Sequence, residues 1–173
     1  MENMENKNEL SWFAVHVHSR HEFQVSQRIT RTGIEAFLPS VERLRRWKDR
    51  NKLLQFPLFS GYLFVHTDRS HHARLAILKT KGVVGILGTV PGEPEPVPDD
   101  HILSLKKLVD NKAALDPYPY LEEGQRARIK SGPFAGVEGI LVQKASRHML
   151  ILSVDILRQS TALTIEASQV EAA

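Results

Sequence analysis

Residues 112–120, which contain Pro117 and Pro119, separate two stretches of the chain with different hydrophobic patterns. Before this segment, strand-like alternation is interspersed with helical periodicity, whereas only short strand-like runs follow it. Lost periodicity with closely spaced prolines is typical of a linker. The sequence therefore predicts a flexible tail at 1–9, a first domain at 10–111, a linker at 112–120 and a second domain at 121–173.

The two domains are expected to differ in fold. In the first, strands are predicted at 10–17, 34–38, 58–66 and 83–87, and helices at 20–31, 71–79 and 102–111, with Ser19 as a helix N-cap. This mixture favours an α+β fold in which an antiparallel sheet is flanked by helices. The second domain has about fifty residues and predicts a small five-stranded β-barrel.

Positive charge is concentrated in one part of the chain. The formal net charge is only +3, yet six of the ten residues from 43 to 52 are basic and one is acidic. The flanking runs, 41–47 and 53–56, predict the arms of a hairpin with these charges at its tip. A local basic cluster suits a polyanionic partner. The alternative is a solvated hairpin tip without a partner.

Residue types that carry out catalysis or bind metals are sparse. The chain has no cysteine, which excludes disulfides, thiolate metal sites and cysteine nucleophiles. His16, His18 and His21 are close enough in sequence for zinc, but no carboxylate is placed to complete the site. Glycine-rich phosphate loops, Ser-His-Asp sets and carboxylate pairs are not evident. We therefore expect a protein that is not an enzyme and that holds no metal or cofactor.

Segments that direct a chain to a membrane are not evident either. No apolar run approaches the roughly 20 residues that a membrane helix needs, and residues 1–9 lack the apolar core of a signal peptide. The expected location is the cytoplasm, with no membrane partner.

Two segments resemble parts of one protein family. The run 57–65 (PLFSGYLFV), together with 11–15 (SWFAV) and 82–84 (GVV), is similar to the N-terminal domain of NusG-type transcription factors. The run 124–141, which contains KSGPFAGVEG, resembles the KOW motif of the C-terminal barrel in the same family. The first segment is most similar to specialised paralogues such as RfaH and the capsule-operon antiterminators, because no module is inserted between its elements.

This resemblance implies a binding site for RNA polymerase. In the family, an apolar pocket of the N-terminal domain holds the tip of the β′ clamp helices. Carried over by position, the aromatic residues of that pocket would be Phe59, Tyr62 and Phe64, with Trp12 nearby in the sheet. His16 stands where relatives often have an aromatic residue. The alternative is that these rings only fill the core, which we favour for Trp12.

The resemblance also implies contacts with the non-template or upstream DNA. The residues concerned are Arg20, Arg28, Arg31 and Lys81 in the first part of the chain, and Arg45, Arg46 and Lys48 in the basic hairpin. For the first group, the alternative is a solvated helix face. A contact with the β gate loop is implied at the start of the second helix, but residues 71–74 (HHAR) lack the small hydroxylated residues of relatives.

In the second domain, the resemblance points to the turn that contains Phe134 and Gly136. It implies that this edge of the barrel binds a small-subunit ribosomal protein or the termination factor Rho. Phe134 is a candidate docking residue because an exposed aromatic side chain at a turn suits a partner. The alternative is that the ring folds back on its own barrel. The Gly-rich, β-branched sequence predicts a barrel rather than the α-hairpin that some RfaH-type factors form.

The function implied is that of a monomeric transcription elongation or antitermination factor that binds the polymerase clamp and suppresses pausing or termination. An operon-specific paralogue is the favoured interpretation. One alternative is a housekeeping NusG-type factor that couples polymerase to Rho or the ribosome. Another is an RNA-binding or ribosome-binding KOW protein, in which the basic hairpin would contact RNA.

Overall fold

The computed structural model describes residues 9–121 and 123–173. Residues 1–8 of the predicted tail lie outside the described residues. The chain divides into two compact units, one comprising the residues up to Leu38 with Phe59–Ile102, the other Pro39–Leu58 with Leu103–Ala173. The residues 39–58, assigned above to the first domain, thus pack with the C-terminal part. The predicted domain boundaries remain a prediction.

Thirteen strands and three α-helices are formed by the described residues. The strands are β1 (Ser11–Val17), β2 (Glu35–Phe37), β3 (Ser40–Arg46), β4 (Asn51–Pro57), β5 (Tyr62–Thr67), β6 (Val83–Ile86), β7 (Pro96–Val97), β8 (Leu115–Tyr118), β9 (Gln125–Ile129), β10 (Glu138–Lys144), β11 (Arg147–Val154), β12 (Gln159–Ile165) and β13 (Val170–Ala172). The helices are α1 (Glu22–Arg31), α2 (His71–Leu78) and α3 (Asp99–Asp110). Short 3₁₀ turns cover Asp155–Leu157 and Ala167–Gln169.

The first unit is built on an antiparallel sheet in the order β2-β5-β1-β6, with β7 also paired to β1. Side chains alternate between the two faces of a strand, so Phe13, Val15 and Val17 share one face of β1. That face packs with the apolar side chains of α1 and α2 into the core of the unit. The opposite face carries Trp12 and His16, and it forms the candidate site described below.

The second unit contains the β3–β4 hairpin and a six-stranded antiparallel sheet in the order β13-β9-β10-β11-β12-β8. Five of these six strands lie within residues 121–173, where five were predicted. The α+β fold class with a separate C-terminal β structure is confirmed, and residues 123–173 contain no α-helix.

Several boundaries differ from the predictions. Helix α1 begins at Glu22 after His21, whose side chain makes no capping hydrogen bond, so Ser19 is not the N-cap. The strand expected at 58–66 begins only at Tyr62, because residues 58–61 form a turn in which Gly61 has φ +83°. The predicted linker contains β8, which pairs with β12. Leu115–Tyr118 therefore form a strand, and not part of an irregular linker as the sequence predicted.

Helix α3 begins three residues earlier than predicted, but its predicted core face is confirmed, since Ile102, Leu105 and Leu108 are buried. Among the three helices of the described residues, none is long and apolar enough to cross a membrane.

Candidate functional site

One face of the sheet in the first unit carries a layer of ring side chains, here called the aromatic face. The strand register places Trp12 opposite His66, Ala14 opposite Phe64 and His16 opposite Tyr62. Phe37 lies opposite Phe64 on the other side. The aromatic face therefore consists of Trp12, His16, Phe37, Tyr62, Phe64 and His66.

The rings of this face stack on one another. The ring centroids of Trp12 and His66 lie 4.7 Å apart at an interplanar angle of 15°. Those of His16 and Tyr62 lie 5.1 Å apart at 24°. Phe59, in the preceding turn, contacts Phe64 edge-on. Of the five residues predicted to bind polymerase, Trp12, Phe59 and Phe64 are linked by ring contacts through Phe37, whereas His16 and Tyr62 form a stacked pair of their own.

Burial divides this cluster into a core and an accessible part. Phe59 and Phe64 are 1% and 0% exposed, and Trp12 is 6% exposed. These three rings are buried and offer almost no surface to a partner. Burial was the favoured prediction for Trp12, whereas Phe59 and Phe64 were predicted to line the polymerase pocket. His16 and Tyr62 are half-buried, so their stacked pair is the part of the predicted set that a partner can reach.

A buried carboxylate positions the start of β5. Glu22, the first residue of α1, is 3% exposed, and its Oε1 accepts a hydrogen bond of 2.8 Å from the Gly61 amide. The Gly61 carbonyl accepts another from the Val17 amide at 2.8 Å. Because Gly61 directly precedes Tyr62, these two bonds determine where the accessible ring pair begins.

Three residues at this site were not predicted from the sequence: Phe37, His66 and Glu35. Phe37 stacks on Phe64 at 6.2 Å, and the His66 ring lies against Trp12. The Nδ1 atom of His66 lies 3.3 Å from Oε2 of Glu35. Extending the two-residue alternation of β5 from Tyr62 to residue 66 would have identified His66. Phe37 required the pairing of β2 with β5, which a single sequence does not provide.

The basic residues predicted to contact DNA fall into two groups, one in each unit. In the first unit, Arg20, Arg31 and Lys81 are exposed. Arg28 is half-buried, and its Nη1 donates a hydrogen bond of 2.7 Å to the carbonyl of Lys81. Arg28 therefore ties α1 to the segment before β6, which is a structural role that the sequence did not predict.

The second group lies on the β3–β4 hairpin. Arg45 pairs with Lys52 and Arg46 with Asn51 across the strands, and Lys48 lies in the connecting turn. The Arg45 guanidinium lies 5.4 Å above the Phe56 ring, a cation–π contact. Every residue from 42 to 53 is exposed, so the predicted basic tip is confirmed as a solvent-facing structure.

The predicted partner-binding turn of the second unit is tightly hydrogen-bonded. Phe134 is half-buried, a state between full exposure and folding back. The amide of Gly136 donates to the carbonyl of Ile129 at 2.9 Å. From α3, the Lys107 Nζ donates to the carbonyl of Ala135 at 2.7 Å. The backbone of the turn is thereby held, and part of the Phe134 ring stays accessible.

A small pocket, partly open to solvent, lies on the helical side of the first sheet. Its apolar wall includes Phe13 and Ile77, and Asp68 and Arg74 lie at its edge. Hydrogen bonds from the hydroxyl and the amide of Ser70 lower the pKa of the Asp68 carboxyl. None of the residues predicted to bind polymerase lines this pocket, so it is separate from the aromatic face.

The histidines considered as zinc ligands are not gathered into a site. The His18 and His21 rings lie 6.1 Å apart, and His16 stacks on Tyr62 instead. Within residues 9–121 and 123–173, no group of three or more histidine, aspartate or glutamate side chains is arranged to hold a metal ion.

Comparisons with known proteins agree with this architecture. The family described as "Transcription termination factor nusG" matches residues 10–106. The transcription termination/antitermination protein NusG of Staphylococcus carnosus is 27% identical, covering 92% of this chain and 94% of the relative. NusG of Borreliella burgdorferi is 26% identical, covering 93% and 97%.

A solved structure described as "Domain interaction in Thermotoga maritima NusG" superimposes with a TM-score of 0.55 at 24% identity, covering 95% of this chain and 97% of that one. This likeness supports the fold. The family match covers more than half of the chain and includes every element of the first unit, aromatic face included. The chain therefore belongs to the NusG family of transcription termination/antitermination factors.

Proposed function

We propose that this NusG-type factor binds RNA polymerase through the accessible part of the aromatic face, and that it suppresses pausing or termination by doing so. The observation that carries the proposal is the half-buried His16–Tyr62 ring pair, stacked at 5.1 Å beside buried rings. Aromatic anchors on a preformed apolar layer suit the tip of a helical hairpin such as the β′ clamp helices.

Suppression of pausing in this way requires a difference in binding free energy between two clamp states and no catalysed reaction. A factor that binds the closed clamp more tightly than the open clamp shifts the population toward the closed, elongating state. The NusG relatives are named transcription termination/antitermination proteins, and the proposed mechanism assigns no residue a catalytic role.

Replacing Tyr62 with alanine should weaken binding to isolated β′ clamp helices by about 30-fold, the effect of losing a hot-spot aromatic residue worth about 2 kcal/mol. The loss should be accompanied by loss of the antipausing effect during in vitro transcription through a long leader. Fluorescence anisotropy with labelled clamp helices measures the binding directly.

Leu75→Ala provides the matched control, because Leu75 is an exposed apolar residue on α2, away from the aromatic face. It should bind as the unmodified chain does. Equal binding by the Tyr62 and Leu75 variants, with both folded by circular dichroism, would contradict the proposal.

Exposed cations of the first unit are proposed to contact the displaced non-template strand. Arg31 ends α1, and Lys81 lies in the segment that Arg28 ties to that helix. Contacts of this kind fix the orientation of DNA without reading its sequence. Lys81→Ala should weaken DNA binding evenly across sequences and reduce the magnitude of the salt slope by about 1. Titrations at several salt concentrations test this, and an unchanged slope would remove Lys81 from the interface.

We also propose an operon-specific role, supported by the RfaH-like run at 57–65, into which no module is inserted. The KOW turn around Phe134 is then available to bind Rho or a small-subunit ribosomal protein. Transcription through several unrelated leaders separates the two roles, because an operon-specific factor acts on one leader and a housekeeping factor acts on all.

A further inference from the structure

We infer that His16 donates a hydrogen bond to the C-terminal end of a helix in the partner of the aromatic face, and that a protonated imidazole makes this contact more strongly than a neutral one. The inference rests on the proposed function, in which the partner is the tip of a helical hairpin, and it names the chemical group that this tip offers to the chain. The affinity of the aromatic face for its partner should therefore rise as the pH falls.

The first observation is that the His16 ring lies in the accessible part of the aromatic face. His16 is opposite Tyr62 in the register of β1 and β5, and the centroids of the two stacked rings are 5.1 Å apart. Both residues are half-buried, whereas Phe64, two residues further along β5, is fully buried. A partner that covers the Tyr62 ring therefore also covers the imidazole.

The second observation is that the imidazole nitrogens of His16 accept and donate no hydrogen bond within residues 9–121 and 123–173. The ring edge formed by Cδ2 and Nε2 lies beside Gly61, since a Cβ atom there would be 3.8 and 3.9 Å from these two atoms. The Gly61 amide already donates to Glu22, and the Gly61 carbonyl already accepts from Val17. The chain thus leaves the imidazole to water, which a bound partner has to replace.

A covered imidazole requires a hydrogen-bond acceptor on the partner. Leaving a polar group buried and unpaired lowers affinity by about 5- to 150-fold. An imidazole has at least one N–H donor, and both of its nitrogens donate when it is protonated. The tip of a helical hairpin supplies acceptors, because the last four carbonyls of its first helix have no partner within that helix. These carbonyls form the negative end of the helix dipole, which favours a cationic imidazole over a neutral one.

The other groups around the His16 ring do not provide this acceptor. On β6 the residue opposite His16 is Gly85, which has no side chain. Glu22 of α1 is 3% exposed and is bonded to the Gly61 amide. The remaining titratable groups on the elements around this face are His18 after β1, Tyr62 and His66 on β5, Glu35 on β2 and Glu95 before β7. His18 and His66 are imidazoles too, so the test needs a control for each.

The test measures binding of labelled β′ clamp helices to the full-length chain from about pH 5.5 to about pH 8.5, the range in which histidine changes its charge. The affinity should be about 2- to 30-fold higher at the acidic end, which is the effect of a cationic imidazole at a helix C-terminus. Calorimetry at about pH 7, in buffers with different ionisation enthalpies, should also show a net uptake of protons on binding.

His16→Phe tests the residue directly, because the variant keeps a ring that stacks on Tyr62 and removes both nitrogens. Its affinity should change less with pH than that of the unmodified chain, and its proton uptake should be smaller. Titratable groups of the clamp helices are the same in both titrations, so they cancel in this comparison. His18→Gln and His66→Gln are the matched controls, and each should keep the pH profile. Circular dichroism at both ends of the pH range checks that each variant is folded.

Two results with binding intact would overturn the inference and leave the proposed function standing. One is an affinity that stays constant or falls toward acidic pH, as expected when a cationic ring is covered without an acceptor. The other is a pH profile that is the same in His16→Phe as in the unmodified chain. Absence of binding by the unmodified chain at every pH would instead overturn the proposed function and this inference together.

Discussion

Replacing Gly82 with alanine should lower the free energy of unfolding of the first unit by about 2–6 kcal/mol. Two costs add up at this position. Gly82 has φ +103°, a backbone conformation that costs a residue with a side chain about 1–3 kcal/mol. In addition, a Cβ atom would lie 2.6 Å from Cγ2 of Val25, a fully buried side chain of α1, and such overpacking costs about 1–3 kcal/mol.

The surrounding structure has little freedom to relieve this clash. The Gly82 carbonyl accepts a hydrogen bond from the His18 amide at 2.9 Å. One residue earlier, the Lys81 carbonyl accepts from Arg28 at 2.7 Å. Moving this segment away from Val25 would therefore stretch its hydrogen bonds to His18, which follows β1, and to Arg28 of α1. The same segment carries the proposed DNA contact of Lys81, so its position matters to function as well.

Gly33→Ala is the matched control. Gly33 also has a positive φ, +90°, but a Cβ atom there would meet nothing within 4 Å. Both replacements restrict the unfolded chain equally, so the difference between them isolates the clash. Urea unfolding followed by Trp12 fluorescence in a Trp47→Phe background reports on the first unit. Equal losses in the two variants would show that Val25 yields and that packing at Gly82 is loose.

Part of the first unit could be predicted because side chains along a strand point alternately to its two faces. The period of two in β1 separates Phe13 and Val15 from Trp12 and His16, and the same period in β5 selects Tyr62 and Phe64. This alternation identifies the members of the aromatic face that lie on β1 and β5, but not Phe37 on β2. It does not reveal which of them are covered, because burial depends on strands and helices that are distant in sequence.

The linker illustrates a different limit. Pro117 argued against a strand, since proline lacks the amide that a sheet uses. In the structure β8 lies at the edge of its sheet, with Pro117 opposite Thr161. The Thr161 hydroxyl donates to the Asp116 carbonyl at 3.1 Å. An edge strand needs hydrogen bonds on one side only, so proline is tolerated there, and local sequence cannot reveal that position.

The surroundings of a residue in the fold also explain why the sequence did not predict the exposure of Trp47 or the structural role of Glu22. The sequence predicts a hairpin arm that ends at Trp47, and the neighbouring residues do not indicate that this ring is exposed. Glu22 was an ordinary polar residue of a predicted helix. Its importance arises from the turn before β5, 39 residues further along the chain, whose amide it binds.

Glu22→Ala should lower the free energy of unfolding of the first unit by about 2–4 kcal/mol. The 2.8 Å bond from the Gly61 amide is made to a buried carboxylate, and hydrogen bonds to charged groups contribute about 1.5–3 kcal/mol. Truncation leaves that amide without its acceptor, which adds a desolvation cost. A negative charge in the first turn of α1 also interacts favourably with the helix dipole, by about 0.3–1 kcal/mol.

Glu22→Gln separates these contributions, because the amide oxygen can still accept from Gly61 while the charge is removed. It should cost about 1–2 kcal/mol, roughly half the effect of alanine. Urea unfolding at neutral pH in the Trp47→Phe background measures both. Because Gly61 directly precedes Tyr62, Glu22→Ala should also weaken clamp-helix binding under conditions where the variant remains folded, whereas Glu22→Gln should preserve it. Equal stability of the alanine and glutamine variants would mean that the carboxylate, and not the bond to the turn, is what the first unit requires.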